Sequence, residues 1–339
     1  MQIIYKNQQY SIAQWLALPK EAAWQEEIDY VLRFCLGDQG EFGVQTSGST
    51  GTPKTMTLSR TMMWASAQTT LTHFGLKGGS SAVLALPASK IGGIMMVVRA
   101  FLGELNLHVQ PPKQKINLTV MDAFVPLTPS QFIVSNKSSK YWRSATVLLG
   151  GGPAPAMYEW HAKQVFVGYG MTETASHVAL RELQSEVYHA VGSTTFSTRK
   201  DALVIDAPHL GIEGLTTTDV VELLTPTSFN YLGRLDFAIN SGGVKLHPEE
   251  LEATIAPFVE RAYYVSSMEE ETYGEYPVLV VLEHEGTWTP VALPDASRTW
   301  ALPRRVVAIQ DWPLTSGGKL DRTALRATIK SQKHLPFLL

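Results

Sequence analysis

The chain has 339 residues, of which 45% are hydrophobic and 17% charged, and its formal net charge is −3 at pH 7. This composition is typical of a soluble globular protein of about two domains and argues against a disordered chain. The small negative charge also argues against broad nonspecific nucleic-acid binding, which needs a strongly basic face. The single cysteine, Cys35, excludes an internal disulfide framework, and we interpret it as a small buried apolar residue.

Two segments indicate where in the cell the protein is expected. The first residues, MQIIYKNQQYSIAQW, show no charged leader followed by an apolar core, so we expect no secretory signal. The most apolar region, residues 81–102, is interrupted by Pro87, Lys90 and Arg99, whereas a membrane span needs about 20 nearly uncharged residues. We therefore expect this region to lie in the core of a cytoplasmic protein without a membrane span.

Strand-like and helix-like segments alternate along the first part of the chain. Ser59 is a cap for a helix that Gly75 ends, and Gly103 closes a second helix. The predicted order is a helix over 59–74, a strand over 82–86, a helix over 92–102, strands over 105–109 and 146–149, a helix over 155–163 and a strand over 165–167. This alternation predicts an α/β fold with mostly parallel βαβ sheets covered by helices, and ligands beyond the carboxyl ends of the strands.

The pattern changes near residue 235. Pro248 opens a helix with Glu249 and Glu250 in its first turn, and strand-like runs follow at 262–265, 278–282 and 306–309. We therefore predict a large N-terminal domain over 1–235 and a small α+β C-terminal domain over 236–339.

Residues 46–54 read TSGSTGTPK and predict an anion site. Gly48 and Gly51 let the backbone turn its N–H groups towards one point, and Lys54 adds a positive charge. Hydroxyl donors come from Thr46, Ser47, Ser49 and Thr50. Taken alone, this segment fits a polyphosphate site and a solvated linker equally well.

The segment does not stand alone, because it resembles the phosphate loop of the adenylate-forming superfamily of acyl-CoA synthetases, peptide-synthetase adenylation domains and luciferases. Three further segments resemble the signatures of this superfamily, in the same order: YGMTET at 169–174, GRLD at 233–236 running into NSGGVK at 240–245, and PLTSGGKLDR at 313–322.

The resemblance implies a role for each matching position. Tyr169 stacks on adenine, Asp219 and Arg234 bind the ribose, and Glu173 coordinates Mg²⁺. Lys319, Thr172 and Glu173 form the catalytic set, and Asp236 is the hinge. The ATP- and AMP-binding set is Thr46, Ser47, Gly48, Ser49, Thr50, Gly51, Lys54, Gly151, Tyr169, Gly170, Met171, Thr172, Asp219 and Arg234, and the CoA-binding set is Gly242, Gly243 and Lys245.

The chemistry of acid activation suits these residue types. A carboxylate that attacks an α-phosphate joins two anions, so a lysine such as Lys319 and a Mg²⁺ ion must offset the developing charge. The carboxylate is already ionised at pH 7, so no general base is required. The resemblance therefore implies ATP, Mg²⁺ and coenzyme A as cofactor and co-substrates of an AMP-forming acid–thiol ligase.

Other stretches, at 89–99, 125–131, 148–153 and 188–192, resemble o-succinylbenzoate–CoA ligases of menaquinone biosynthesis. The second carboxylate of that acid requires a cation or several donors. The available groups are Ser89, Lys90, Arg99, Thr128, Ser176 and His177. Our predicted acid pocket is Lys90, Ser176 and His177, with preference for the region just after the adenine segment.

The chain is short for this family, since 45 residues precede the phosphate loop. The hypothesis that follows is a homodimer or a more open acyl pocket.

Three alternatives stay open: a ligase for another aryl or acyl acid, transfer to a carrier protein, and a non-catalytic ATP-binding relative. The segment GGVKLHPEE favours CoA over a carrier protein, and the intact charged positions argue against a non-catalytic protein. His73, His177 and His247 show no metal-ligand spacing.

Overall fold

The computed structural model describes residues 1–46, 54–135, 139–152, 160–259, 261–270, 274–283, 302–303, 305–314, 320–330 and 334–336. Its strands are β1 (Gln2–Tyr5), β2 (Gln8–Tyr10), β3 (Glu41–Thr46), β4 (Lys54–Ser59), β5 (Ser81–Leu84), β6 (Asn106–Val109), β7 (Phe124–Leu127), β8 (Thr146–Leu149), β9 (Gln164–Gly170), β10 (His177–Glu182), β11 (Val187–Ala190), β12 (Thr195–Arg199), β13 (Ala202–Ala207), β14 (Ile212–Thr225), β15 (Ser228–Arg234), β16 (Ile239–Ser241), β17 (Val244–Leu246), β18 (Tyr263–Glu270), β19 (Gly274–Leu282), β20 (Arg305–Ile309) and β21 (His334–Pro336).

The α-helices are α1 (Ile12–Ala17), α2 (Ala23–Leu36), α3 (Arg60–His73), α4 (Ile91–Leu102), α5 (Pro129–Ser135), α6 (Lys140–Ser144), α7 (Pro248–Ile255) and α8 (Arg322–Ile329). Short 3₁₀ helices lie at Thr172–Thr174, Pro208–Leu210, Leu235–Phe237 and Ala256–Phe258. Within the described residues, no helix is both long and apolar enough to cross a membrane.

A sheet of thirteen strands runs through most of the chain, in the order β12-β13-β14-β15-β11-β10-β9-β8-β7-β5-β6-β1-β2. Strands β9, β8, β7, β5, β6 and β1 pair in parallel. The helices α2 and α3 contact α4. Met95, Met96, Val97 and Val98 of α4 have no exposed surface. The α/β class and the core placement of 81–102 are therefore confirmed.

The other half of the large sheet is antiparallel. Strands β10 to β15 pair antiparallel with their neighbours and extend the sheet from β9. Phe229 of β15, which is fully buried, stacks on Tyr188 with ring centroids 5.3 Å apart. The sequence analysis had not predicted these strands.

The last part of the chain forms a second sheet, of order β17-β16-β19-β20-β21, with β18 paired to β19. Pro248 occupies the first turn of α7, as predicted, and α7 and α8 both contact β18. The second sheet begins at Ile239, while the domain boundary at 235 stays a prediction.

Most of the elements predicted from local signals in the first half are confirmed, although β1 to β4, α1, α2, β7, α5 and α6 were not predicted. The Oγ atom of Ser59 accepts a hydrogen bond from the Met62 N–H at 3.2 Å, and Gly75 has a φ of 62° just after α3. The helix predicted over 155–163 is wrong over 160–163, because the Lys163 N–H donates to the Ala145 carbonyl as the chain enters β9. Residues 155–159 lie outside the described residues.

Cys35 is buried, as predicted. Burial raises the pKa of its thiol to about 12, so it stays protonated and unreactive at neutral pH.

Candidate active site

A β-hairpin carries the two ends of the predicted phosphate loop. Thr46, the last residue of β3, pairs with Lys54, the first residue of β4. The two ends of the predicted phosphate loop are therefore neighbours in the hairpin. Strand β4 contacts the 3₁₀ helix Thr172–Thr174, which brings the hairpin next to the predicted α-phosphate and Mg²⁺ residues. The predicted residues Ser47, Gly48, Ser49, Thr50 and Gly51 lie outside the described residues, as do the side chains of Thr46 and Lys54.

Two predicted nucleotide residues are joined by a short hydrogen bond. The hydroxyl of Tyr169, near the end of β9, donates to Oδ2 of Asp219 on β14 at 2.5 Å. Burial raises the pKa of Asp219, while this hydrogen bond and the positive charge of Arg234 lower it. The net effect is a raised pKa, and in its ionised form this largely buried carboxylate can accept hydrogen bonds from a diol.

Arg234 lies on the strand beside Asp219, since the two residues are register partners of β14 and β15. Its Nη2 donates to Oδ2 of Asp236 at 2.8 Å. Burial lowers the pKa of Arg234, but the hydrogen bond with Asp236 and the charge of Asp219 raise it overall. The predicted ribose pair and the predicted hinge residue thus form one charged group.

The segment after β9 makes a tight turn. The Met171 N–H donates to Oγ1 of Thr174 at 3.0 Å, and Ala175, which is fully buried, has a φ of 57°. A Cβ atom on Gly170 would lie 2.1 Å from the Ser176 carbonyl oxygen, so a glycine is required there. The turn fixes Thr172 and Glu173 between the hairpin and the large sheet.

Glu173 is exposed on this turn. Among the residues that the structure describes, no three His, Cys, Asp or Glu side chains come together as a metal site. A nucleotide-bound Mg²⁺ takes most of its ligands from phosphates and water, so one accessible carboxylate is sufficient. Glu173 therefore fits its predicted role.

Gly151 follows β8, the strand beside β9, and has a φ of 84° with no neighbouring atom within 4 Å of a built Cβ. The carboxyl ends of β8 and β9 therefore place Gly151 and Tyr169 at the same edge of the sheet, as the sequence predicted.

A buried polar cluster lies behind the turn. Arg99, in the last turn of α4, is 1% exposed, and its Nη2 donates to Oγ of Ser176 at 2.5 Å. Its Nε donates to Oγ1 of Thr70 at 3.0 Å, and this Oγ1 lies 3.4 Å from Nε2 of His177. The Oγ of Ser176 lies 3.3 Å from Nδ1 of His177. The structure thus brings the predicted pair Ser176 and His177 together with two residues outside the predicted pocket.

The cluster carries a net positive charge. Burial lowers the pKa of Arg99 to about 10, so the guanidinium stays charged at pH 7. Burial and the charge of Arg99 lower the pKa of His177 well below its usual value, so His177 is neutral. Within the described residues, no carboxylate forms an ion pair with Arg99.

Lys90 does not reach this cluster. It is exposed at the start of α4, and at about 1.5 Å per residue the helix separates it from Arg99 by roughly 13 Å. A lone cation in the apolar run of 91–102 was the available signal for Arg99. Thr70 had no signal, because its partners lie far away in the sequence.

The predicted CoA residues lie together in the turn between β16 and β17. Gly242 and Gly243 have positive φ angles of 58° and 84°. Nζ of Lys245 forms an exposed ion pair with Oδ2 of Asp201 at 2.9 Å.

Lys319 lies outside the described residues. The residues that flank its segment, Leu314 and Leu320, pair as an isolated bridge. Asp321 then caps α8 by accepting from the Ala324 N–H at 2.9 Å.

Comparison with known proteins gives consistent results. The family model "AMP-binding enzyme" matches residues 44–211. The 2-succinylbenzoate–CoA ligase of Listeria innocua is 24% identical over 83% of this chain and 68% of its own length. The ligase of the same name from Escherichia coli is 25% identical over 85% of this chain and 69% of its own length.

Solved structures share the fold. An acyl-CoA synthetase (AMP-forming)/AMP-acid ligase II-like protein from Dyadobacter fermentans is 27% identical, with a TM-score of 0.61 over 94% of this chain and 99% of that chain. The o-succinylbenzoate coenzyme A synthetase of Bacillus subtilis, in complex with ATP and magnesium ion, is 20% identical, with a TM-score of 0.66 over 85% of this chain and 69% of that chain.

The matched region contains the hairpin, the turn after β9 and the buried cluster, while Asp219 and Arg234 follow it on adjacent strands. The ordered motifs, the fold and the family match agree: residues 44–211 match the AMP-binding enzyme family, and the chain is similar in sequence and fold to AMP-forming acid–CoA ligases.

Proposed function

We propose that this protein is an ATP-dependent acid–CoA ligase that converts o-succinylbenzoate to o-succinylbenzoyl-CoA, a step of menaquinone biosynthesis. In the first step the acid carboxylate displaces pyrophosphate from MgATP and forms an acyl-adenylate. In the second step the CoA thiol displaces AMP and forms the thioester. The named activity of the relatives supports this proposal.

The nucleotide half of the site has the donors and acceptors that ATP requires. Asp219 accepts hydrogen bonds from the ribose hydroxyls, with Tyr169 and Arg234 holding it in place. The ring of Tyr169 stacks on adenine, and strand β4 contacts the 3₁₀ helix that carries Thr172 and Glu173. A Mg²⁺ ion bound to the phosphates would reduce their charge, and Glu173 would hold it.

The observation that carries the choice of acid is the buried charge of Arg99. Taking an isolated cation out of water costs several kcal/mol, and hydroxyl partners offset only part of that cost. Arg99 has Ser176 and Thr70 as partners but no carboxylate within the described residues. We infer that the second carboxylate of the acid supplies the missing charge and binds against Arg99 and Ser176.

This arrangement selects among acids by charge. A diacid gains a charge-assisted hydrogen bond that benzoate or a short fatty acid cannot make. His177 is neutral, so it contributes a hydrogen bond and no charge. A ligase for another aryl or acyl acid, and a ligase that transfers the acyl group to a carrier protein, are the alternative functions. A homodimer and a cytoplasmic location also stay predictions.

The test is isotope exchange between ATP and pyrophosphate, which reports adenylate formation without CoA. We expect exchange with o-succinylbenzoate at least about thirtyfold above exchange with benzoate, short fatty acids and amino acids, because losing a buried charge partner costs about 2–5 kcal/mol. Exchange with another acid of this panel would keep the adenylation chemistry and overturn the substrate. ATP binding without exchange for any acid would favour a non-catalytic protein.

A further inference from the structure

The end of β15 packs directly against the start of α7. Gly233, the residue before Arg234, has a φ of 149°, and a Cβ atom built there would lie 2.7 Å from Oε2 of Glu249. It would also lie 3.0 Å from Cβ of His247. The carboxylate of Glu249 therefore rests on the backbone that carries the proposed ribose arginine.

The other oxygen of this carboxylate reaches the last helix. Oε1 of Glu249 lies 3.1 Å from Nε of Arg322, the first residue of α8. Arg322 also donates to Oε2 of Glu252 at 2.8 Å and to the Val265 carbonyl at 3.1 Å. The side chains of Glu249 and Arg322 are 18% and 12% exposed, so water screens their interaction little. One carboxylate thus contacts both the end of β15 and the beginning of α8.

Two charged atoms at this junction are not paired. Oε2 of Glu249 and Nε of Arg234 are buried and, within the described residues, have no hydrogen-bond partner. A buried polar atom without a partner costs about 1–3 kcal/mol, so a native structure keeps one where it serves a purpose. A carboxylate oxygen and a guanidinium N–H are complementary and can pair when the arginine side chain turns.

Tyr231 of β15 is near enough to both charged groups to be affected by their charges. Burial raises the pKa of its hydroxyl, and the negative charges of Asp219 and Glu249 raise it further, because both carboxylates lie near the ring. The ribose pair and the Glu249–Arg322 pair are therefore close enough to share one neighbour.

We propose that Glu249 is a positioning residue that couples nucleotide binding at Arg234 to the anchoring of α8 through Arg322. This inference rests on the proposed function, since it takes Arg234 as the ribose contact. A nucleotide that orders Arg234 would, through Glu249, also order Arg322 at the start of α8. Lys319 lies three residues before Arg322 in the sequence, so this helix start follows the predicted catalytic lysine directly.

The test uses hydrogen exchange of α8 amides, with and without MgATP, in the full-length protein and without any acid. In the wild type we expect MgATP to slow exchange over Arg322–Ile329. Glu249→Ala is expected to abolish this slowing and to raise the Kd for MgATP by about fivefold or more. Glu249→Gln can still accept a hydrogen bond from Arg322, so it should keep part of both effects.

Glu250→Ala is the matched control, because Glu250 lies in the same helical turn but is exposed. It should behave as the wild type. A protein in which MgATP binds but leaves α8 exchange unchanged, or in which Glu249→Ala keeps the full slowing, would overturn the coupling. Failure of the wild type to bind MgATP would instead remove the proposed function itself, and the coupling with it.

Discussion

Nη2 of Arg99 donates a hydrogen bond to Oγ of Ser176 at 2.5 Å, joining residues 77 positions apart in the sequence. The bond connects α4 to the turn that follows β9, and it holds a buried cation beside the proposed acid site. The charge of this cation favours a diacid substrate.

Arg99→Gln should raise KM for o-succinylbenzoate by about thirtyfold or more, because removing one partner of a buried charge pair costs about 2 kcal/mol or more. KM for MgATP should stay within about twofold, since the hydrogen bonds of Arg99 within the described residues go to Thr70 and Ser176 and not to a predicted nucleotide residue. Steady-state pyrophosphate release measures both constants. Lys90→Gln, at the exposed end of the same helix, is the control and should change neither KM. An unchanged KM for the diacid in Arg99→Gln would show that Arg99 does not bind the acid.

Arg99→Met should stabilise the ligand-free protein, because methionine fills the volume of the arginine stem without the cost of burying a charge. We expect the free energy of unfolding in urea to rise by about 1 kcal/mol or more. Arg60→Met, on the neighbouring helix α3, should do the opposite. The guanidinium of Arg60 donates to the carbonyls of Phe34, Gly37 and Gln39 at the end of α2, so its removal leaves these acceptors unpaired. A destabilised Arg99→Met protein would mean that the hydrogen bonds of Arg99 outweigh its desolvation.

Tyr169→Phe should shift the pH dependence of ATP binding. The hydroxyl of Tyr169 lowers the pKa of Asp219 against the effect of burial, so its loss raises that pKa further. The carboxylate is the form that accepts hydrogen bonds from the ribose, and it is lost as pH falls through its pKa. KM for MgATP should therefore begin to rise at a higher pH in the variant than in the wild type.

The control for this titration is Tyr188→Phe. The ring of Tyr188 packs 5.9 Å from that of Tyr169, and within the described residues its hydroxyl has no hydrogen bond to Asp219. Identical pH profiles for Tyr169→Phe and Tyr188→Phe would show that Asp219 does not govern ATP binding.

Gly170→Ala should destabilise the protein through backbone contact. The new Cβ would lie 2.1 Å from the Ser176 carbonyl oxygen and 2.6 Å from Cα of His177, and neither backbone atom can rotate away. We expect the free energy of unfolding to fall by about 1–3 kcal/mol or more. Gly43→Ala in β3 is the control, since its Cβ would meet only Cγ2 of Thr55 at 3.7 Å. Equal stabilities of the two variants would mean that the turn after β9 is not as closely packed as described.

Local signals predicted four of the six parallel strands, β5, β6, β8 and β9, but not β1 or β7. Ser59, Gly75 and Gly103 marked helix ends, and the apolar run of Thr146–Leu149 was predicted with its observed bounds. Such signals act over a few residues, so they mark helix ends whatever the rest of the chain packs against.

The antiparallel strands between His177 and Arg234 could not be predicted in the same way. The long strand β14 exposes side chains at many positions, so it lacks a continuous apolar run or clean alternation. Its pairing with β13 shifts register between Ala202 and Val204, which breaks the period of two further.

The candidate site also contains residues that the sequence predicted and residues whose role only the tertiary structure shows. Tyr169 and Arg234 belong to ordered motifs, and Asp219 was assigned through the same resemblance. The structure places the three residues together. Arg99 was one of several candidate cations, because its role depends on Ser176 and Thr70, which only the tertiary fold brings to it.

The most direct test of the central claim is the full reaction with MgATP, CoA and o-succinylbenzoate, followed by mass spectrometry of the products. We expect equal amounts of AMP and o-succinylbenzoyl-CoA, and loss of both in Lys319→Ala with ATP binding retained. Formation of the adenylate without any CoA thioester, even with excess CoA, would contradict the assignment of this protein as an acid–CoA ligase.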